Sequence, residues 1–484
     1  METNEAVKKT LLSLAEAGIE TLLKSLEEVK EGDLDALEQQ VLTQVLAIGR
    51  ACLESLVAQQ ERSAGSAARR IGTCGHRQRL VGRRPRQVLT LLGPITIHRA
   101  YYQCLCPDEP NASLQASRCR HGEAPFDSTW GLTSKRSSPG VQKAVSYLSA
   151  HLTHEGVAEA LSRLLPLQLS PRQVGSISQP IGEEFDRWEE QRAQALLQQG
   201  VQKHTSEAEQ QEYQAAPIKR LYIEMDGVLA RLRRGSVPME RAELEREGDI
   251  YREVKVGAVF VAEPGRKRSE LVPGVFVDTP GPIQYTARRT TIEDFATRIY
   301  TLAHHAGLPR ATQVVVLGDG AKWIWRLAEE QFPGAVQIVD EYHARQHVWN
   351  VARAAFACEA DQRDAWACGV IDLLSEGNIE EVIAALERLP PQPPEPGKTR
   401  SIPETEAEYF RSNAERMRYP RFRAQGMHVG SGIAEAACKT VVTTRAKRSG
   451  MRWTPAGLDA ILALRISVLN GSFDRCWQAL HQVA

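Results

Sequence analysis

Between residues 218 and 339 the chain alternates short apolar stretches with amphipathic ones, in an order that few folds accept. Residues 218–231, 251–262 and 275–285 read as three strands in succession. A helix over 291–306 follows. Thr290 or Thr291 is its N-cap, and Glu293 and Asp294 lie in its first turn, where the helix dipole favours acids. Residues 314–317 form a wholly apolar, buried strand, 321–332 a helix, and 336–339 a fifth strand. Three strands, then helix, strand, helix, strand, predict an α/β fold with a mixed five-stranded sheet and helices around it. Helices continue to about residue 389, a proline-rich link (PPQPPEPG) fills 390–397, and further helices run to the end.

Two carboxylates stand out in this pattern. Asp226 is read at the end of the first strand, before Gly227, and Asp319 at the end of the fourth, before Gly320. Chemistry in open α/β sheets gathers at such strand ends. If the first and fourth strands are neighbours, the two acids meet, and two adjacent carboxylates stay ionised only with a cation between them. Hard divalent ions accept such oxygen ligands, with phosphate oxygens completing the shell. Two ions ~4 Å apart drive in-line displacement at phosphorus. Glu435 is the expected third acid: Gly430-Ser431-Gly432 makes a turn, a helix over 433–442 follows, and Glu435 falls in its small, apolar first turn. Glu224, Asp249, Glu253 and Asp278 read as structural or supporting acids, and Trp323 and Trp325 as packing residues.

Sixty basic and sixty acidic residues cancel, but their spread is uneven. Residues 62–103 carry nine arginines and no acid, and residues 436–453 carry Lys439, Arg445, Lys447, Arg448 and Arg452, again with no acid. Two such blocks suggest a polyanionic partner, the alternative being solvated faces. Arg77, Arg79, Arg83, Arg84 and Arg86 are the expected phosphate contacts of the first block. Cysteines and histidines interleave with that block around a strand pair over 88–102, whose turn is expected at Gly93-Pro94. Cys74, Cys104, Cys106 and Cys119, with His76 and His121, are the candidate zinc ligands of a ribbon over 62–135. No clean C-x2-C pair occurs, and free thiols are the alternative.

Residues 1–60 read as two helices broken at Gly32-Asp33, either a dimerisation hairpin or a pair packed on its own chain. Residues 137–180 suggest a helix-turn-helix or a plain helical hairpin, with Ser170-Pro171 starting its second helix. Residues 181–216 read as a polar linker. The expected apolar runs fall short of the ~18 residues of a membrane span. No export signal is recognised, and nine cysteines, an odd number, fit a reducing cytoplasm. The composition excludes a disordered, collagen-like or disulfide-scaffold chain.

The motifs MDG at 225–227, GDGAKWIW at 318–325, DEYH at 340–343, and GSGIAEA with RAKRSGMRW within 430–453 resemble those of the DDE transposases of bacterial insertion sequences. The likeness spans roughly residues 70–470 and points to the ISKra-type group, related to the Mutator-like enzymes. It implies a ribonuclease H-like catalytic core from 217–344 and 426–470, interrupted by a helical insertion domain near 345–425, with residues 471–484 as a C-terminal tail. It also implies Asp226, Asp319 and Glu435 as the triad holding Mg²⁺ or Mn²⁺, with Asp340 and His343 as auxiliary residues. The implied activity is cleavage and strand transfer of an insertion sequence's DNA in the bacterial cytoplasm, at the nucleoid. Terminal inverted repeats and target DNA are the implied partners, with a homo-oligomer as the working form and no membrane. The alternatives are a DNA-binding relative without catalysis and a ribonuclease H-like nuclease that is not a transposase. The ribbon departs from the family pattern: CRHGEAPFD at 119–127 keeps only the end of it.

Overall fold

The computed structural model describes residues 2–27, 33–63, 67–104, 121–132, 136–199, 217–236, 249–263, 276–394 and 397–481. The chain forms two compact units, residues 1–181 with 477–484, and residues 182–476.

In the first unit α1 (Glu2–Leu26) and α2 (Leu34–Ser63) pair as a hairpin. Asp33 caps α2, accepting from the Ala36 N–H at 3.0 Å. A four-stranded antiparallel sheet follows: β1 (Arg69–Ile71), β2 (Arg77–Thr90), β3 (Gly93–Cys104) and β4 (Gly122–Glu123), in that spatial order. The second half of α2 lies on it, with Leu53 and Val57 against Val88, Ile95 and Ile97, and Glu61 accepting from the Ala100 N–H at 2.8 Å. By length and composition alone α2 is long and apolar enough to cross a membrane among the described residues, contrary to the expectation that no apolar run approaches that length.

The β2–β3 turn falls at Leu91-Leu92, two residues before its expected place. Thr90 closes it, its hydroxyl donating to the Gly93 carbonyl at 2.7 Å and accepting from Leu92 N at 3.2 Å. Pro94 can then sit in the strand. Its partner Leu89 bonds instead to Arg136 O and Ser138 N, both at 2.8 Å, so the missing proline N–H leaves no group unpaired.

α3 (Pro125–Thr129), α4 (Pro139–Ser149) and α5 (His154–Leu164) lead to α6 (Pro171–Gln199). Ser170 and Gln173 cap α6 reciprocally, at 3.2 and 2.8 Å. Val141, Val145, Val157, Leu161, Val174 and Ile177 make the shared core of α4, α5 and the start of α6. The helix does not stop near residue 177. It passes through Pro180 and runs to Gln199, so most of the described part of the expected linker is helical. Within the second unit this part of α6 is held by Asp186, which pairs with Arg288 and Arg298 at 2.8 Å each. Residues 200–216 lie outside the described residues.

The second unit is built on a mixed sheet of β5 (Ile218–Leu232), β6 (Ile250–Glu263), β7 (Thr279–Pro280), β8 (Gln284–Arg288), β9 (Ala311–Gly318) and β10 (Val336–Val339). The path runs β10-β9-β5-β6-β7, with β8 also on β6; β10, β9 and β5 are parallel, and the rest antiparallel. The expected third strand is two short pieces, because Pro280-Gly281-Pro282 cannot donate a continuous ladder and Asp278 turns inward to Arg220 and Tyr222, both at 2.7 Å.

α7 (Ile292–Ala306) carries the Thr291 cap and ends on Gly307 in the left-handed region. α8 (Lys322–Gln331) follows β9. After β10 come α9 (Glu341–Ala355), α10 (Ala360–Ser375), α11 (Ile379–Glu387), α12 (Ile402–Ser412) and α13 (Tyr419–Ala424), a helical block continuous with the sheet's core. α14 (Gly432–Ala437) then runs into a π-helical turn, Cys438–Thr443, before α15 (Pro455–Leu469) and α16 (Phe473–His481).

Candidate functional site

The parallel register pairs Glu224 of β5 with Leu317 of β9. Two residues further on, Asp226 and Asp319 come level where β9 stops. The sequence places Asp226 at a strand end; the structure corrects this. β5 continues to Leu232 on its antiparallel partner β6, so Asp226 lies mid-strand, at the end of β9 only. Its Oδ1 accepts from Gly227 N at 2.6 Å and its Oδ2 from the Cys438 thiol at 3.3 Å. Burial raises its pKa, and the Asp319 charge adds to the rise. Asp319 folds back to accept from Ala321 N at 2.9 Å. The Tyr409 hydroxyl of α12 donates to the Asp319 carbonyl at 2.8 Å. Gly320 turns there at φ 100°, and a Cβ on it would overlap the Tyr409 ring.

β10 delivers the next group. Asp340 caps α9, accepting from Tyr342 N at 2.6 Å, while its Oδ2 meets His343 Nδ1 at 3.1 Å and accepts the Ser431 hydroxyl. Burial pushes the Asp340 carboxyl up, but the bonds from His343, Ser431 and Tyr342 outweigh it and hold it low. His343 is raised, first by its bond to Asp340 and then by the charges of Asp340, Asp319 and Asp226, against the opposing effect of burial. One imidazole therefore faces three acids. The ligand atoms of Asp340, His343 and Glu435 lie within 4.8 Å of one another. That trio, rather than Asp226, Asp319 and Glu435, is the tight grouping among the described residues, with Asp226 and Asp319 adjoining it.

Glu435 reaches the site because the start of α14 is pinned. Ser431 precedes the helix but turns its hydroxyl to Asp340 and makes no cap bond of its own. Glu224 takes over that work from β5: it is fully buried, and one oxygen accepts from Ala434 N at 2.8 Å. Its other oxygen, Oε1, has no partner, and burial, followed by the Asp340 charge, pushes its carboxyl up to about 8. The π-helical turn that follows carries Cys438, whose thiol burial raises further, with Asp226 and Glu435 adding to the rise and Lys447 opposing it. Widened helical turns of this kind are frequent at functional sites. Cys438, Ser431 and Tyr409 were not among the sequence candidates. The sequence names Glu224 only as a supporting acid, on its spacing from Asp226.

The basic residues divide. Lys439, Lys447 and Arg448 are exposed. Arg452 is exposed and pairs with Asp249 at 3.2 Å. Arg445 must leave the DNA-facing set: it is 1% exposed, with its guanidinium 5.2 Å above the Trp453 ring, and burial lowers it to about 10. In the first unit Arg77 and Arg79 are exposed on β2, Arg83 pairs with Glu61, and Arg84 lies 3.8 Å above the Tyr101 ring. Arg86 is a poorer phosphate contact than its sequence suggests, because it shares Asp127 with Arg99 at 2.6 and 2.7 Å.

The ligand atoms of Cys74, His76 and Cys104 also gather within 4.8 Å. Thiolate and imidazole donors at this spacing suit zinc. Cys106 and Cys119 lie outside the described residues. His121 bonds instead with Thr73 at 3.0 Å and Glu123 at 3.1 Å.

No protein-family model matches the chain, and no curated protein matches it. Among solved structures, a Drosophila P element transposase strand transfer complex is similar at 10% identity and a TM-score of 0.23, covering 74% of this chain and 83% of that one. A likeness that slight carries no weight for fold or activity.

Proposed function

We propose that the second unit is a ribonuclease H-like catalytic core and that the chain is a DDE transposase, cleaving and joining DNA at an element's terminal repeats. The observation that supports this reading is the convergence of Asp226, Asp319, Asp340, His343 and Glu435, from four separate segments, at the end of β9. The donor set fits Mg²⁺ or Mn²⁺: it is rich in hard carboxylate oxygens, and the only nitrogen ligand belongs to a histidine already bonded to Asp340. Glu435 would hold the metal together with Asp226 and Asp319, which adjoin the closer grouping that Glu435 makes with Asp340 and His343. Bound there, it would supply activation of the attacking oxygen and neutralisation of the leaving one.

The chain's own residues set the stage. Glu224 and Ser431 fix the helix start that carries Glu435, and Tyr409 fixes the turn that carries Asp319. Lys439, Lys447 and Arg448, exposed on the segment after Glu435, would bind the phosphates flanking the scissile bond. In the first unit Arg77, Arg79, Arg83 and Arg84 would track the backbone of the terminal repeat, on a sheet closed by zinc at Cys74, His76 and Cys104.

The test is nicking of DNA that carries the element's ends, with Mg²⁺ or Mn²⁺ present. Asp226→Asn is expected to slow nicking by about 10²–10³-fold while leaving end binding intact, the loss typical of removing one charge-stabilising group. Wild-type protein that binds the ends and never cuts them would reject the enzyme in favour of a non-catalytic binder. Nicking without strand-transfer products would indicate a nuclease instead.

A further inference from the structure

The α1–α2 hairpin is long yet buries almost nothing along most of its length. Among the described residues no side chain from 5 to 27 or from 33 to 56 is buried; the first is Val57, where α2 meets the sheet. Helices take most of their stability from packing an apolar face rather than from intrinsic propensity. Here that face exists and is bare. Leu12, Ile19 and Leu23 on α1, and Leu34, Val41, Leu42, Val45 and Leu56 on α2, are each at least 39% exposed.

These residues are not scattered. At ~100° per residue the three on α1 fall within about 40° of arc, and the five on α2 within about 100°. Leu12, Ile19 and Leu23 repeat the spacing of Leu34, Val41 and Val45, seven residues and then four. The two helices meet each other elsewhere, where a Cβ on Gly18 would overlap the Ile48 side chain. Measured from that contact, the α1 stripe lies about a third of a turn further round its helix and the α2 stripe about a fifth, in the same rotational sense. In an antiparallel pair, rotations of the same sense bring both stripes to one side. The hairpin therefore presents a single apolar face two helices wide.

We infer that this face is covered by the same face of a second copy, the two hairpins closing as a four-helix bundle. A two-fold interface must be self-complementary, and two stripes of matching spacing on one face meet that condition, α1 of each copy lying on α2 of the other. The size is adequate. A 25-residue helix is ~37 Å long and two helices side by side are ~20 Å wide, so the faces bury roughly 1,500 Å² in total, within the ~1,200–2,000 Å² of stable interfaces. A lipid surface fits less well, because the same α2 continues onto the sheet through Glu54, which accepts from Thr96 N at 2.6 Å, and through Glu61.

The test needs neither DNA nor metal, so it is independent of the proposed activity. Sedimentation velocity of the full chain at micromolar concentration is expected to give twice the chain mass of 53.7 kDa. Val41→Glu with Val45→Glu should raise the dissociation constant by about 30-fold or more, the scale of losing an interface hot spot. Ile19→Glu, on the other helix, should weaken association in the same direction. Circular dichroism monitors folding, and Val41→Gln with Val45→Gln replaces the charged pair if helix is lost. A wild-type chain that sediments at 53.7 kDa overturns the inference. So does a dimer that the α1 and α2 variants leave unchanged, or a monomer that co-sediments with phosphatidylcholine vesicles.

Discussion

Glu224 shows how a single buried side chain can carry a site without joining its chemistry. A carboxyl shut away from water, with one oxygen unpaired, costs stability unless it does something the fold needs. Here its bonded oxygen replaces the missing side-chain cap of α14 and so sets where Glu435 can reach. The two oxygens make separable predictions. Glu224→Gln keeps an acceptor for Ala434 N and the side-chain volume, and is expected to unfold within about 1 kcal/mol of wild type, or later. Glu224→Ala leaves that N–H buried without a partner and opens a cavity, and should lose about 2–4 kcal/mol in denaturant unfolding. Equal midpoints for the two variants would show that the bond to Ala434 holds nothing. Of the residues around it, Asp226 and Asp319 drew notice in the sequence as two Asp-Gly pairs in this strand order, although Asp226 proves to be mid-strand, and Glu435 as an acid in an apolar helix start. Tyr409 and Ser431 did not, because nothing in their local sequence marks a partner some ninety residues away.

Elements show the same division. Strands and helices of the second unit fall close to their expected bounds, since β5, β9 and β10 are apolar runs and α7 carries its own cap and glycine stop. The exceptions have physical causes: prolines cut the third strand in two, Thr90 draws the β2–β3 turn forward, and ion pairs at Asp186 hold a Gln/Glu-rich stretch of α6 that composition alone reads as linker. α12 is the element whose role is least visible beforehand. It lies in the helical block after β10, yet its Tyr409 holds the carbonyl of Asp319, and the Tyr409 ring stacks on His347 of α9 with centroids 3.8 Å apart. Tyr409→Phe removes only the hydroxyl. It is expected to cost about 1 kcal/mol of stability and to weaken Mn²⁺ binding about tenfold, measured by titration without DNA. Unchanged metal affinity would make α12 a packing element only.

For the molecule as a whole, zero net charge conceals a concentrated arrangement, with Asp226, Asp319, Asp340 and Glu435 gathered beyond the end of β9. Such an arrangement should respond to a divalent ion whether or not it is catalytic. At a hundred times its dissociation constant a ligand adds about 2.7 kcal/mol to the native state, or roughly 5 °C in unfolding temperature for a unit of this size. Mg²⁺ or Mn²⁺ should produce that shift in calorimetry. Asp226→Asn with Asp319→Asn should abolish it while raising the metal-free midpoint, because two facing like charges are gone. A shift that survives in the double variant would place the ion elsewhere.

The amino-acid sequence by itself determined the periodicities, the caps, the breaks and the few acids that stand before glycine or in an apolar helix start. These are local properties, written in spacings of two to four residues. Only the tertiary structure decided which acids meet, that Arg445 is enclosed rather than offered to a partner, and that the apolar face of the first two helices is left bare. Each of those depends on contacts between residues far apart along the chain, and burial is a property of what folds over a side chain rather than of the side chain itself.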